Sequence, residues 1–235
     1  MRETLQKEPA LRTKTSSSPH KGRSKSRGQS LVEIAITLPL LLMLFASMVE
    51  FGFMLNYYMA LIDATRYSAR EYSNGDPFDT DPNTSRNASD WFFMDAANAV
   101  YKQLAPMTDS NGNVDPNDTS VKTQLNPATD DVIVTAYSVD GTTIQTLTIT
   151  GLDANGEYHL YGHESASVTS STILNTVQST NDPCEGILVV EVDFTYHQVL
   201  NLPWLAWLGS PVMHADTIMP LSAVEPGQPN IMTCN

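Results

Sequence analysis

Basic side chains become scarce once the first 28 residues are passed. Eight of the 13 Lys and Arg lie in residues 1–28, leaving five against 24 Asp and Glu in residues 29–235. That balance argues against nucleic acid as a partner of the main body, because neutralising phosphates takes clustered Lys and Arg. Cysteine is nearly absent. Cys184 and Cys234 are too few for a disulfide-built scaffold and lack metal-ligand spacing; one optional disulfide between them is the most they suggest, and an exported location would allow it. There is no Gly-x-Ser-x-Gly elbow, phosphate loop, dinucleotide fingerprint or His-Glu-x-x-His, so no enzyme and no cofactor is indicated.

Long apolar runs are also rare, with one exception. Residues 31–55, LVEIAITLPLLLMLFASMVEFGFML, carry only two charges, Glu33 and Glu50. At about 1.5 Å per residue this run spans roughly 37 Å, more than the hydrocarbon core of a bilayer. A cleavable secretory signal would be shorter and end in a small-x-small site, whereas this run continues into YYMALIDATRYSAREY, so it reads as a retained anchor. A buried helix of a soluble protein is the competing reading. Pro39 is tolerated in a membrane helix. Residues 1–28, rich in Ser, Lys, Arg and Gly, read as a disordered cytoplasmic leader. By the positive-inside rule the leader stays in the cytoplasm, and the acidic C-terminal body lies outside a membrane crossed once. The expected domains are the leader 1–28, a transmembrane helix 29–55 and an extracytoplasmic domain 56–235.

Glu33 is expensive so few positions inside an apolar span. A cut after Gly28 would put a new α-amine on Gln29, one helical turn from Glu33, and amine and carboxylate would neutralise each other within one chain or between neighbours. Snorkelling to the interface is the plainer alternative. Glu50 lies about 260° further round the helix and does not share a face with Glu33. It reads either as a snorkelled carboxylate near the outer interface or as an intersubunit contact with Arg66 or Arg70.

The stretch Arg27-Gly28-Gln29-Ser30-Leu31-Val32-Glu33, then IAITLPLLLMLF, Val49-Glu50-Phe51-Gly52, Ala64-Thr65-Arg66 and Ala69-Arg70, closely resembles the TadE-like proteins of tight-adherence (Tad) pilus systems. The resemblance is dense over residues 27–72. It implies a pseudopilin involved in assembling Tad (Flp-type) adhesive pili, with Gly28 before the bond cut by prepilin peptidase, Gln29 as mature N-terminus and Glu33 as pairing or recognition carboxylate. Its implied partners are prepilin peptidase, other pilins and pseudopilins, Tad assembly proteins and the lipid bilayer. Ile34 stands where the major pilins of these systems usually have an aromatic, which points to the pseudopilin group. The alternative is a permanently anchored cell-surface binding module whose loops at 73–90 and 105–130 contact a ligand, a substratum or calcium.

Beyond the anchor the helix is expected to continue through Asn56–Tyr72, with Tyr58, Met59, Ile62 and Ala69 facing the core and Asp63, Arg66 and Arg70 on the polar side. A second short helix is expected over Ser89–Leu104, from its stripe of Trp91, Phe92, Phe93, Val100 and Tyr101. Loops rich in Asp, Asn, Pro and Gly follow. In one of them Asp109, Asn111, Asn113 and Asp115 alternate as calcium ligands would, but without the Gly and Glu of an EF-hand they fit a solvated turn better. Asn-x-Ser/Thr triplets at Asn83, Asn87 and Asn117 carry little weight.

Strand patterns then dominate: DVIVTAYS from Asp131, a turn at Val139–Thr142, TIQTLTIT, EYHLY at 157–161, Gly186–Gln198 and Val212–Ala223. The expected fold is α+β, a long pilin-like N-terminal helix packed on an antiparallel sheet. His159 and His163 would sit about 13 Å apart on a strand, too far to share a metal. The apolar segment Val199–Gly209 is either a connection buried against the sheet or a patch, with Trp204 and Trp207, for a partner or the membrane interface.

Overall fold

The computed structural model describes residues 27–77, 90–105, 123–140, 143–147, 150–177 and 184–221. It is an α+β fold. Helix α1 runs over Arg27–Tyr72, α2 over Asp90–Leu104 and α3 over Ser170–Val177; strands are β1 Asp131–Asp140, β2 Thr143–Thr146, β3 Glu157–His159, β4 Cys184–Thr195 and β5 Val212–Leu221, with a 3-10 turn at Pro203–Leu208. The chain divides into two compact units, Met1–Met43 and Leu44–Asn235.

In the first unit the described residues are helical. From Ser30 to Met43 every side chain is exposed, including Leu31, Ile34, Ile36, Leu40, Leu41 and Leu42. Together with the residues that follow it in Ser30–Tyr72, this stretch makes one helix long and apolar enough to cross a membrane.

The second unit is built on an antiparallel sheet in the order β2-β1-β4-β5, with β3 also pairing β1. Long ladders fix the centre: β1 and β4 pair from Asp131↔Asp193 to Asp140↔Cys184, and β4 and β5 from Gly186↔Leu221 to Thr195↔Val212. The expected hairpin is present, with Asp140 opposite Thr143.

Side-chain alternation divides the sheet into two faces. Val132, Val134 and Ala136 on β1, Leu188, Val190, Val192 and Phe194 on β4, and Met213 and Ala215 on β5 join the buried side chains of α1 and α2 in the main core. The other face carries Tyr137, Val139, Ile187 and Val189 against Val168 and Ile173 at α3. Toward one end of that face its apolar positions give way to the buried Asp131, Glu191 and Asp193.

Small side chains bring α1 and α2 together. Leu61, Ala64, Thr65, Ser68 and Ala69 are buried along α1, opposite Phe93, Ala96, Ala97 and Val100 of α2. Ser68 Oγ donates to the Ala96 carbonyl at 2.7 Å, and Thr65 Oγ1 meets Thr217 Oγ1 of β5 at 2.9 Å. Tyr57 stacks on Phe194 and meets Tyr196 edge-on.

Several expectations need correction. Tyr58 and Met59, expected in the core, are exposed, and Ile62 is only half-buried. Ala69 is buried as expected, and the stripe it belongs to runs through Leu61, Ala64, Thr65 and Ser68, because close helix packing selects small residues. β3 stops at His159, where Tyr161, Gly162 and His163 turn their N–H groups onto Asp131. Helix α3 had no counterpart in the sequence reading.

Candidate functional site

At the amino end, Gly28 and Gln29 lie in the first turn of α1. Glu33 is exposed among apolar neighbours, and Thr37 Oγ1 donates to its backbone carbonyl at 2.8 Å. The junction therefore presents a Gly-x-x-x-x-Glu sequence at the start of a helix whose next turns are apolar and, among the described residues, exposed. Residues 1–26 of the expected leader lie outside the described residues.

Glu50 is held inside its own chain. Only 5% exposed, its Oε1 accepts from Tyr196 Oη at 2.6 Å and from the Val199 N–H at 2.7 Å, while Oε2 accepts from the Leu200 N–H at 2.9 Å. Such bonds to a charged acceptor are short and strong. Nearby, Trp204 Nε1 donates to Ser47 Oγ at 3.4 Å, and Gln198 Nε2 donates to the Leu205 carbonyl at 2.8 Å. Within the chain Glu50 thus forms a bracket between α1 and the segment after β4, while Arg66 and Arg70, the expected intersubunit partners, are both exposed. Val199, Leu200 and Trp204 keep much of their surface open, so this segment is not buried against the sheet.

Two further carboxylates organise the α3 side of the sheet. Asp131, fully buried, accepts from the N–H groups of Val132, Tyr161, Gly162 and His163 and meets His159 Nδ1 at 3.0 Å. Burial opposes its ionisation, but the His159 bond and the Tyr161 and Gly162 N–H groups outweigh it and bring the carboxyl down to about 2. The same bond raises His159 above its ordinary value.

Glu191, also buried, accepts from Ser167 N–H and Oγ, each at 2.8 Å, and from the Val168 N–H at 3.2 Å. Burial nevertheless pushes it up. His214 sits across the ladder from Asp193, with Nδ1 2.7 Å from Asp193 Oδ1 and Nε2 2.6 Å from Ser167 Oγ. The Asp193 bond raises its affinity for a proton. Ser167, His214 and Asp193 have the sequence of contacts of a nucleophilic triad, but the Ser167 proton is directed to Glu191, and the neighbouring N–H groups that would stabilise an oxyanion are spent there too. This arrangement latches the segment before α3 onto β4 and β5.

His159 and His163 do not come together on one ion: the His163 ring meets the Pro127 carbonyl, while His159 faces Asp131. Instead, Asp153, Glu157 and His159 bring donor atoms within 4.8 Å of one another, close enough to share a cation, with His159 oriented by Asp131 as metal-bound imidazoles commonly are. Asp153 already accepts from the Asn155 and Glu157 N–H groups.

The calcium candidates Asp109, Asn111, Asn113 and Asp115, the triplets at Asn83, Asn87 and Asn117, and Cys234 lie outside the described residues, as do the side chains of Cys184 and Trp207. Of the residues that matter here, sequence reading missed Tyr196, Asp131, Glu191, Asp193 and His214. One signal was present: Glu191 and Asp193 occupy alternate positions of an otherwise apolar strand, GILVVEVDFT, which marks buried charge needing partners.

No curated protein and no solved structure matches the chain. The family model described as TadE-like protein matches residues 28–70, which are all but the ends of α1. The matched segment begins at Gly28, includes Glu33 and Glu50 and ends at Arg70, so this chain carries a TadE-like segment over its long first helix.

Proposed function

We propose that this protein is a pseudopilin-like component of a Tad pilus system, anchored by α1 with its N-terminus in the cytoplasm and its acidic α+β body outside. Prepilin peptidase removes the basic leader after Gly28, leaving Gln29 as the first residue and Glu33 one turn from the new amine. The freed helix then engages other pilins or Tad assembly proteins, with Glu33 as the pairing carboxylate. The observation that carries this reading is the TadE-like match beginning at Gly28, where basic chain meets an uncovered apolar helix. The body's role is interaction, not catalysis.

The test is the N-terminal residue and intact mass of the protein from its native membrane, beside Gly28→Ala and Glu33→Ala variants. A start at Gln29 that disappears with Gly28→Ala supports the reading. A start at Met1 in cells with active prepilin peptidase overturns it and leaves a permanently anchored surface module.

A further inference from the structure

A membrane core of about 30 Å takes roughly 20 helical residues, and an apolar run opening at Leu31 uses these up near Glu50. After Glu50, the next charges along α1 are Asp63 and Arg66, both exposed. Glu50 therefore marks the depth at which the hydrocarbon gives way to the outer interface.

The segment Val199–Gly209 is tied to that depth. The N–H groups of Val199 and Leu200 hold Glu50, and Trp204 reaches Ser47 one turn earlier. The eleven residues VLNLPWLAWLG contain no charge. Val199 is 49% exposed, Leu200 41% and Trp204 37%. On α1 at the same level, Met48, Phe51 and Leu55 are also open. An apolar surface with indole at its edge, level with the end of a membrane span, matches the belt where Trp sits in bilayers, ring in the acyl boundary and N–H toward polar groups.

We infer that Val199–Leu208 is a second membrane contact of this chain, a loop that rests in the outer-leaflet interface and seats the extracytoplasmic body on the lipid. The lipid surface is favoured over a protein partner because the hydrogen bonds to Glu50 and Ser47 fix the loop at the level of the span, continuous with the lipid-facing side chains of α1. The carboxylate in turn has its hydrogen bonds met by its own chain. The inference rests on the anchoring of α1 proposed above.

The test uses the full chain in vesicles of phosphatidylcholine and phosphatidylglycerol brominated either near the headgroup or near the chain ends. Trp91→Phe with Trp207→Phe leaves Trp204 as the sole indole; a second protein replaces Trp204 as well and carries Phe45→Trp as a reporter of the span. Circular dichroism confirms that both are folded. The expected result is blue-shifted Trp204 emission and loss of most of its intensity with bromine near the headgroup, less with bromine near the chain ends. Strong quenching of Phe45→Trp beside an unquenched Trp204 overturns the interfacial loop while leaving the anchor intact. Quenching of neither overturns both. A Trp204 emission that ignores lipid bromine but shifts with protein-to-lipid ratio overturns the inference in favour of contact between copies.

Discussion

Glu50 and Tyr196 are 146 positions apart in sequence and meet across a 2.6 Å hydrogen bond. The bond joins the first helix to the chain leaving β4, and the backbone of Val199 and Leu200 completes it. A carboxylate that reads from sequence as a snorkelled charge or an intersubunit contact is in the fold a fastening point. Removing the phenol takes away one charge-assisted bond, so Tyr196→Phe should cost about 2 kcal/mol. Glu50→Ala leaves two N–H groups without their acceptor and should cost roughly 3 kcal/mol or more. Urea unfolding in detergent micelles measures both; equal stability of the Glu50→Ala variant and the parent would contradict the bracket.

The α1–α2 contact makes a sharper contrast over two positions. Phe93 is fully buried between the helices and the sheet, whereas Trp91 is 63% exposed. Phe93→Ala should destabilise by about 3–5 kcal/mol through lost burial and the cavity left behind. Trp91→Ala should stay within about 0.5 kcal/mol. Thermal melts followed by circular dichroism give the comparison, and a large loss at Trp91 would mean that its indole has a partner.

These residues show what the sequence made legible. The strands could be read because β1, β4 and β5 alternate or run apolar with β-branched residues, and the hairpin because a Gly-containing turn separates two such runs. α2 followed from its aromatic spacing. Of the inner face of α1 only Ala69 was readable, since Ala64, Thr65 and Ser68 carry little hydrophobic signal and the larger Tyr58 and Met59 draw the stripe to the wrong side. α3 was hidden because SSTILNTV is made of residues with weak helix preference; packing of Ile173 on the sheet holds it. At the amino end, the Gly28-to-Glu33 pattern that opens the TadE-like match is local, so sequence alone displays it. The Glu50, Asp131 and Glu191 networks join residues 24 to 150 positions apart, beyond any local pattern.

Two glycines separate backbone strain from steric clash. Gly156 and Gly162 both adopt left-handed φ values, +82° and +78°. A side chain at Gly162 meets nothing within 4 Å, whereas at Gly156 a Cβ would lie 2.6 Å from Thr146 Cβ and 2.7 Å from the Leu147 carbonyl oxygen. Gly162→Ala should therefore cost about 1 kcal/mol from conformation alone. Gly156→Ala should cost at least twice that, since it must also push the end of β2 aside. Denaturant midpoints rank the two, and an equal loss would place the cost wholly in φ.

The two His–carboxylate pairs give the folded state a pH optimum. The Asp131 carboxyl lies at about 2 in the fold against 3.8 ordinarily, so its ionisation stabilises the fold above pH 4 by on the order of 2 kcal/mol, and this is lost as pH falls from about 4 toward 2. His159 and His214 shift the other way, raised above 6.5 by Asp131 and Asp193, with Glu157, Asp153, Glu191 and Asp216 nearby. Their contribution is complete below pH 6.5 and disappears as pH rises through their folded values. Glu191 adds to the alkaline fall: burial raises it above 4.5, so its ionisation takes away stability as pH rises from 4.5 toward its folded value. Melting temperature should accordingly be highest between about pH 4 and 6.5 and fall on both sides. His214→Gln and His159→Gln should each flatten the alkaline limb, and Asp131→Asn the acid limb. An alkaline limb that persists unchanged in the double His variant would assign it to groups outside these two pairs.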